Sequence, residues 1–213
     1  MTLDYPPSLT EAEIARQLSQ AKGAAGLSSE TEDHPSGRKA AVLVPMFRAD
    51  EGWRLLFTER SQSVEEHPGQ VSFPGGQSHG PTEAAIETAL RETEEEIGLA
   101  SDQVRVLGQL DPLGTVTGFL VTPIVGAFSW PALLRPSPIE VREIFHVPLR
   151  WLAHASNLHW QPRPKPAQER PEWVPIYQPF EEHVIWGVTA RIVVLFLGVL
   201  GIDLMSQAQG PRG

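Results

Sequence analysis

A cluster of acidic residues lies in the stretch ALRETEEEIGLA, residues 89–100. Arg91 is followed within five positions by four glutamates, Glu92, Glu94, Glu95 and Glu96. Like charges one helical turn apart repel, at a cost of about 0.2–0.5 kcal/mol per pair. Such a cluster therefore either covers a solvated helix face or holds a cation.

Helical spacing would bring three of these carboxylates together. At about 100° per residue, Glu95 and Glu96 fall on either side of Glu92, whereas Glu94 lies on the far side of the helix. Arg91 precedes Glu95 by one turn and can donate a charge-assisted hydrogen bond to it. Two carboxylates about 4 Å apart repel by roughly 4 kcal/mol at an effective dielectric of 20. Mg²⁺, which takes oxygen ligands, would relieve this repulsion, and the spaced acidic pattern of a calcium-binding loop is missing from the stretch.

A pair of glycines precedes the acidic stretch, in the segment SFPGG at residues 72–76. Gly75 and Gly76 follow a short apolar strand pattern and lie some fifteen residues before Arg91. Glycine permits a positive φ and allows a ligand or metal to approach the backbone closely. An ordinary turn is the alternative interpretation, but the position ahead of the acidic helix favours a binding role.

Together these residues resemble the motif of the Nudix hydrolases, G-x5-E-x7-R-E-U-x-E-E-x-G-U, where U is a bulky apolar residue. Thr93 stands at the first U, and Glu83 lies eight residues before Arg91 as the motif requires. Six residues instead of five separate Gly76 from Glu83, a spacing usual in the coenzyme A pyrophosphatase branch of the family. The other matching positions are Arg91, Glu92, Glu95, Glu96, Gly98 and Leu99.

The segment upstream of the motif resembles the same branch. The branch signature, L-L-T-x-R-S-x3-R-x3-G-x3-F-P-G-G, is similar to LFTERSQSVEEHPGQVSFPGG in this chain. Two positions depart, with Phe57 for leucine and Glu65 for an arginine that could bind a substrate phosphate. The resemblance extends over roughly residues 40 to 200. The matching positions are Leu56, Thr58, Arg60, Ser61, Gly69, Phe73, Pro74, Gly75 and Gly76.

The resemblance implies an α/β fold, a Nudix-type α/β/α sandwich around a mixed β-sheet, and a requirement for Mg²⁺ or Mn²⁺. The implied reaction is hydrolysis of the diphosphate of coenzyme A or acyl-coenzyme A to 3′,5′-ADP and (acyl-)4′-phosphopantetheine. Glu65 keeps open the alternative of another diphosphate substrate, such as ADP-ribose, a dinucleotide or an oxidised nucleoside triphosphate. A third alternative is a non-catalytic module that senses a nucleotide, although such modules usually lose the motif glutamates.

The resemblance also assigns roles to residues. The expected catalytic residues are Glu95, Glu96, Arg91 and Glu140. Arg91 would orient the carboxylates, and Glu140 is a candidate base on a distant segment. His79 is interpreted as a turn residue, with an approach to the metal site as the alternative, and Trp186 as core packing, with contact to a nucleotide base as the alternative. The expected metal ligands are Glu92, Glu95, Glu96 and the backbone of Gly76, and the expected substrate-binding residues are Arg60, Ser61, Gly75 and Gly76. Further basic residues that could reach a phosphate, each more simply a solvated charge, are Arg48, Arg54, Arg163, Lys165 and Arg170.

Hydrophobic periodicity predicts the elements that must position these residues. Residues 1–38 are expected to form an N-terminal helix, with Ser8 and Glu11 as its capping pair, followed by a polar linker. The catalytic domain would comprise residues 39–205, and residues 206–213 would form a disordered tail. The acidic helix is expected to start near Pro81 and end at Gly98. The proline-rich segment WQPRPKPAQERPEW is expected to lack regular structure, and WGVTARIVVLFLGVLGIDL to form a last core helix. Predicted strands are KAAVLVPMFR, WRLLFTER, QVSF, QVRVLGQL, FLVTPIVGAF and WVPIYQ, and the expected inward residues of the acidic helix are Ile86, Leu90, Thr93 and Ile97.

Composition limits the classes of function. The chain has 213 residues, a formal net charge of -9 and a pI near 5.2, which argues against non-specific binding to nucleic acid or anionic membranes. It has no cysteine, which excludes thiolate chemistry. The start of the chain lacks a secretory-signal pattern, and its longest apolar run, residues 192–202, is short of the roughly 20 residues of a membrane span. We therefore expect a cytoplasmic protein. The resemblance implies a small coenzyme A-like nucleotide as its partner, and a homodimer is possible.

Overall fold

The computed structural model describes residues 9–21, 38–62, 69–164 and 172–205. Outside these ranges lie Ser8, Glu65, Lys165 and Arg170, together with the predicted tail and nearly all of the predicted linker. The helices in the described part are α1 (Glu11–Ala21), α2 (Ala85–Ile97), α3 (Leu149–Leu152) and α4 (Gly187–Val199). The strands are β1 (Arg38–Ala49), β2 (Gly52–Arg60), β3 (Val71–Ser72), β4 (Gly75–Gln77), β5 (Arg105–Gln109), β6 (Leu113–Gly114), β7 (Phe119–Ala127), β8 (Val141–Pro148), β9 (Leu158–Arg163) and β10 (Glu172–Tyr177).

Eight of these strands form one mixed sheet. Its central order is β3-β2-β1-β7-β5, while β4 also pairs with β1, β6 with β7 and β8 with β2. β1 and β7 are parallel, and the other pairs in this sheet are antiparallel. β9 and β10 form a separate antiparallel pair. This arrangement of helices around a mixed sheet confirms the predicted α/β fold class.

The two faces of the sheet can be followed along β2, because successive strand residues point to opposite sides. Phe57 belongs to the large core cluster that includes Ile192 and Phe196 of α4. Leu56 instead packs with Ile97, at the end of α2. We call these sides the α4 face and the α2 face.

The N-terminal helix packs on the α4 face. Ile14 and Leu18 are buried in the main core, and Trp53 Nε1 donates a hydrogen bond of 2.7 Å to the carbonyl oxygen of Leu9. The capping pair at its start is Thr10 and Glu13 instead of the predicted Ser8 and Glu11. The Glu13 carboxylate accepts from the Thr10 backbone N–H at 2.8 Å, and the Thr10 hydroxyl accepts from the Glu13 N–H at 3.3 Å. The role of the extension as a separate unit remains a prediction.

Helix α2 differs from the prediction at its start and along its buried side. It begins at Ala85, four residues after Pro81, and ends as expected at Gly98, whose φ is 69°. Ile86 is exposed, whereas Ala89 and Thr93 are fully buried. Ala89 packs in a cluster with Ala41, Leu43 and Ile124 of the sheet. Small residues let the helix approach the sheet closely, so the buried side is rotated away from Ile86.

The strand predictions were confirmed for β1, β2, β3, β5, β7 and β10, but the proline-rich segment was predicted wrongly. Its first part forms β9, in which Pro162 pairs with Trp173 and Trp160 with Pro175. A two-stranded sheet consists of edge strands only, so a proline without an N–H can be accommodated where no ladder bond is needed. None of the helices in the described residues is long and apolar enough to cross a membrane.

Candidate active site

Helix α2 places its three predicted ligand glutamates at different depths. Glu96 is buried, with 7% of its surface exposed, and Glu92 is partly buried. The Glu95 side chain is 55% exposed. Glu94 is also exposed and accepts a hydrogen bond from the Ser101 N–H at 3.3 Å. The helix therefore turns Glu92 and Glu96 toward the sheet and leaves Glu95 at the solvent edge of the same site.

Arg91 joins this helix to the preceding turn. Its Nη1 donates to Glu92 Oε1 at 2.9 Å and approaches Glu95 at 3.4 Å, as the helical spacing predicted. Its Nε donates to Glu83 Oε1 at 3.0 Å, and its Nη2 to the carbonyl oxygen of Gln77 at 3.3 Å. One guanidinium therefore fixes α2 to β4 and to the loop between them, which is the geometry required of a residue that orients carboxylates.

Glu83 completes this arrangement. Its other oxygen, Oε2, accepts the His79 backbone N–H at 2.6 Å, so its carboxylate closes the turn between β4 and α2. The hydrogen bond from Arg91 lowers the pKa of Glu83 to about 2. The same hydrogen bond raises the pKa of Arg91. The sequence motif pointed to Glu83, but only the ion pair gives it a physical role. His79 is an exposed turn residue, as interpreted from the sequence.

Glu92 and Glu96 have too little positive charge around them to offset the cost of burying their carboxylates. Burial raises the pKa of Glu96 to about 8, although the Gly75 N–H donates to its Oε2 at 3.2 Å and the charge of Arg60 opposes the shift. Burial also raises the pKa of Glu92. The negative charge of Glu140 contributes to both shifts. A cation bound between these groups would reverse the penalty for ionising them.

The two glycines of β4 are required by close contacts. A Cβ placed on Gly76 would lie 2.6 Å from the Glu92 carboxylate, and one on Gly75 would collide with the carbonyl oxygen of Ala41. The backbone of β4 therefore lies directly against the carboxylates of α2. The predicted contribution of the Gly76 backbone to a metal site is compatible with this contact.

Arg60, Ser61 and Glu140 converge on the same region from β2 and β8. The Ser61 N–H donates to the Glu140 carbonyl oxygen at 2.8 Å, which ties the segment that carries Glu140 to the end of β2. Glu140 is exposed, yet its charge is felt by Glu92 and Glu96. The structure thus brings Glu140 near the α2 carboxylates although the two lie in separate segments of the chain.

A cavity of about 500 Å³ adjoins this cluster. Its wall includes Arg60, Gly75 and Gly76, so it opens directly onto the backbone that touches Glu92. Volumes of this size are typical of ligand sites. Apolar parts of the wall come from Val42, Val116, Phe119, Val121, Val174, Val188 and Ile192.

Sequence reasoning missed or misjudged four other residues of the cavity wall. Trp186 was interpreted as core packing, but it is 41% exposed and lines the cavity. Glu172 accepts hydrogen bonds from Arg163 at 2.7 Å and from Arg191 at 2.5 Å, and all three residues line the cavity. Arg191 lies within an apolar helix and had no motif to single it out.

The donor set suits Mg²⁺ or Mn²⁺. These ions prefer oxygen ligands and accept carboxylates together with water and substrate phosphate. Glu92, Glu95 and Glu96 supply carboxylate oxygens, and Glu92 lies against Gly76 of the cavity wall. The raised pKa values of Glu92 and Glu96 mark a site that is short of positive charge. The residues present therefore fit a hard divalent cation.

Comparison with known proteins gives the family. Residues 37–184 match the NUDIX domain model, and the chain therefore belongs to the Nudix family. It is an enzyme of that family, a Nudix pyrophosphatase.

Relatives cover most of this chain. It is 41% identical over 158 residues to an uncharacterized Nudix hydrolase, NudL, of Photorhabdus laumondii, covering 74% of this chain and 82% of the relative. It is 37% identical over 167 residues to NudL of Escherichia coli K12, covering 78% and 83%. Among solved structures, a MutT/nudix family protein from Enterococcus faecalis aligns with a TM-score of 0.47 and 14% identity, covering 90% of this chain and 78% of that one.

Proposed function

We propose that this Nudix pyrophosphatase hydrolyses the diphosphate of coenzyme A or acyl-coenzyme A. The observation that carries the proposal is the contact between the α2 carboxylates and β4, where the Glu92 carboxylate lies against Gly76 at the wall of the cavity. A diphosphate held in the cavity would then lie beside the cation-binding oxygens. The coenzyme A specificity is supported by the signature from Leu56 to Gly76, whose residues Arg60, Gly75 and Gly76 line that cavity.

Glu92, Glu95 and Glu96 would hold Mg²⁺ or Mn²⁺, together with the backbone of Gly76. The bound cation supplies neutralisation of the diphosphate and acidification of the attacking water. Arg91 holds the carboxylate of Glu92 in place through its 2.9 Å hydrogen bond. Glu83 in turn fixes Arg91, so the turn before α2 sets the orientation of the ligands.

The chain's own residues have separate tasks in the reaction. Water attacks one phosphorus of the diphosphate, the bond to the bridging oxygen breaks, and Glu140 accepts the proton that the water loses. The Arg60 guanidinium and the Ser61 hydroxyl would bind phosphate oxygens, and Gly75 and Gly76 would leave room for the diphosphate beside β4. Products from coenzyme A are 3′,5′-ADP and 4′-phosphopantetheine.

The cavity wall agrees with a substrate that is both charged and apolar. Arg163 and Arg191 flank Glu172 on one part of the wall, and Trp186 presents its ring on another. An arginine pair can bind a further phosphate, such as the 3′-phosphate of coenzyme A, and an exposed aromatic ring can stack on a base. ADP-ribose lacks that phosphate, so the wall favours coenzyme A over this alternative.

A substrate panel tests the proposal. Coenzyme A, acetyl-coenzyme A, ADP-ribose, a dinucleoside polyphosphate and 8-oxo-dGTP would be compared by kcat/KM with Mg²⁺ and with Mn²⁺, and the products identified by mass spectrometry. The coenzyme A thioester or free coenzyme A should have the highest kcat/KM. A nucleoside triphosphate or ADP-ribose turned over much faster than both would transfer the function to that alternative, and ligand binding without turnover of any compound would favour a sensing module.

A further inference from the structure

A second group of metal-ligating side chains lies on the α4 face, opposite the Nudix motif. Glu59 of β2 and Glu143 of β8 are directly opposed in the antiparallel pairing. Strand alternation places Glu59 on the same side as Phe57, which stacks on Phe145 in the α4-face core. His183 precedes α4 and stacks on Phe145. The group is therefore assembled from three separate segments of the chain and is distinct from the α2 carboxylates.

The negative charge of Glu59 and Glu143 is only partly neutralised by neighbouring cationic side chains. Like charges directly opposed across antiparallel strands are destabilising, and Glu59 is buried, with 7% exposed. Arg142 donates to Glu59 Oε1 at 2.6 Å. This contact leaves Glu59 Oε2 and the Glu143 carboxylate facing the imidazole, so a second positive charge is needed between them.

The two distances from the His183 imidazole match those of a tetrahedral metal site. His183 Nε2 lies 3.4 Å from Glu59 Oε2 and 3.3 Å from Glu143 Oε2, and the three ligand atoms all lie within 4.8 Å of one another. Neighbouring ligand atoms around a tetrahedral Zn²⁺ with bonds of about 2.0–2.1 Å are separated by about 3.3–3.4 Å. As hydrogen bonds the same distances are long, since N–H···O bonds cluster near about 2.9–3.0 Å.

The His183 ring is held in place without a good hydrogen bond. Its side chain is 2% exposed, and its plane lies 11° from that of Phe145 with the ring centroids 3.7 Å apart. Within the described residues, Nδ1 is buried and has no hydrogen-bond partner. The backbone N–H and C=O of residue 183 both pair with Phe180. Stacking and this backbone turn therefore aim Nε2 at the two carboxylates, while the ring proton can reside on Nδ1 and leave Nε2 free to bind a cation.

We propose that Glu59, Glu143 and His183 form a second divalent-cation site, selective for Zn²⁺ over Mg²⁺. An imidazole nitrogen suits Zn²⁺, whereas Mg²⁺ prefers a set of oxygens. The Glu143 side chain is 42% exposed, so water can reach a fourth ligand position. The ion would link β2 and β8 to the segment before α4.

Zn²⁺ titration of untagged, metal-free protein tests this site, with excess Mg²⁺ present to occupy the α2 carboxylates. The wild type should bind one tight Zn²⁺ per chain by isothermal titration calorimetry, and Co²⁺ substitution should give the intense visible bands of a four-coordinate ion. Glu143→Gln should weaken this binding at least about 100-fold, more than the loss of a residue that only supports a ligand. Bound Zn²⁺ should also raise the thermal midpoint of the wild type.

Two further variants make the test specific. His183→Gln should lose the same ion, and His159→Gln, which changes an exposed histidine on β9, should retain it. Because a variant of the buried His183 can fail to fold, the partly exposed Glu143 carries the decisive comparison. Absence of tight Zn²⁺ binding by the wild type, or binding that Glu92→Gln removes and Glu143→Gln leaves unchanged, would overturn the proposal. An imidazolium paired with two carboxylates would then explain the cluster.

Discussion

Both faces of the sheet hold buried carboxylates, but the negative charge of these carboxylates is compensated differently on each face. On the α2 face, Glu92 and Glu96 come from one helix, and burial raises the pKa of both. On the α4 face, Glu59 is also buried, but Arg142 binds one of its oxygens at 2.6 Å and an imidazole faces the other. Buried carboxylates therefore occur on both faces, and the α2 carboxylates are distinguished by their contact with Gly76, which lines the cavity.

Access to the cavity is set by the glycines of β4. Gly76 brings the backbone against Glu92 and also lines the cavity, so the α2 carboxylates can share a cation with a bound diphosphate. Among the described residues, the cavity wall includes Val188 and Ile192 of α4 but none of the carboxylates of either group, so the α2 carboxylates reach it only through their contact with Gly76. The comparison predicts that the α2 carboxylates, which contact the cavity wall through Gly76, perform the chemistry, and that the group of Glu59, Glu143 and His183 does not.

The largest effect is expected from Glu96→Gln. Replacing the most buried of the three carboxylates removes a metal ligand with little change in shape, and kcat should fall at least about 1000-fold, equivalent to roughly 4 kcal/mol of transition-state stabilisation. Initial rates with the best substrate of the panel would measure it. Glu94→Gln on the exposed side of the same helix is the matched control and should keep wild-type kcat. Full turnover by a folded Glu96→Gln protein would break the assignment of catalysis to the α2 face.

Gly76→Ala should have the next largest effect. The added Cβ would lie 2.6 Å from the Glu92 carboxyl carbon, so the carboxylate or β4 must shift, and a displacement of about 1 Å can cost about 100-fold in rate. We expect kcat/KM to fall by about 10- to 100-fold, with weaker Mn²⁺ binding by titration calorimetry.

Gly80→Ala provides the control for this change, because a Cβ there meets nothing within 4 Å. It should leave both kcat/KM and Mn²⁺ affinity unaltered. Equal losses in the two alanine variants would mean that loop flexibility, and not the contact with Glu92, limits the reaction.

The contrast between the faces also explains what the sequence could predict. The α2 carboxylates follow one another on a single helix, so 100° per residue was enough to bring Arg91 next to Glu95 and to separate Glu94 from the others. Burial was not readable from that pattern, because the depth of each residue depends on how closely Ala89 allows the helix to approach the sheet. The expected burial of Ile86 was wrong for this reason.

Groups assembled from distant segments gave no sequence signal. Glu59, Glu143 and His183 meet only because β2 pairs with β8 and because His183 stacks on Phe145. Trp186 was misjudged in a similar way, since apolar composition next to a core helix predicts burial, whereas the cavity leaves its ring exposed. Strand β9 was missed because proline content outweighed the alternating pattern, although its partner β10 was predicted.

A smaller effect, confined to binding, is expected from Trp186→Ala. If the exposed ring stacks on the base of the substrate, its removal should raise KM about tenfold with kcat nearly unchanged, since one base–aromatic stack contributes about 1–3 kcal/mol. Steady-state kinetics separate the two parameters. Trp130→Ala is the control, because Trp130 is equally exposed at 42% but stacks on Phe47 away from the cavity wall. It should lower stability without raising KM, and a reversed pattern would remove Trp186 from substrate binding.

The smallest effect concerns the pH dependence of stability, which tests the charge pairing around Arg91. The pKa of Glu83 is lowered from 4.5 to about 2 by the hydrogen bond from Arg91. A depressed folded-state pKa contributes stability that is fully present above the unfolded value and is lost as the pH falls through the folded value. Glu83→Gln should therefore be less stable than wild type near pH 6, and the difference should narrow as the pH falls from about 4.5 toward 2.

Urea unfolding of the metal-free proteins at a series of pH values would measure this difference. Glu87→Gln is a suitable control, because its exposed carboxylate accepts the Ala84 N–H at 3.0 Å at the same helix start but has no contact with Arg91 among the described residues. A gap between wild type and Glu83→Gln that stays constant across the acidic range would mean that the Glu83 carboxylate acts through its shape and neutral hydrogen bonds. Arg91 would then be oriented by Glu92 and the Gln77 carbonyl, and the turn before α2 would have no electrostatic part in positioning the catalytic carboxylates.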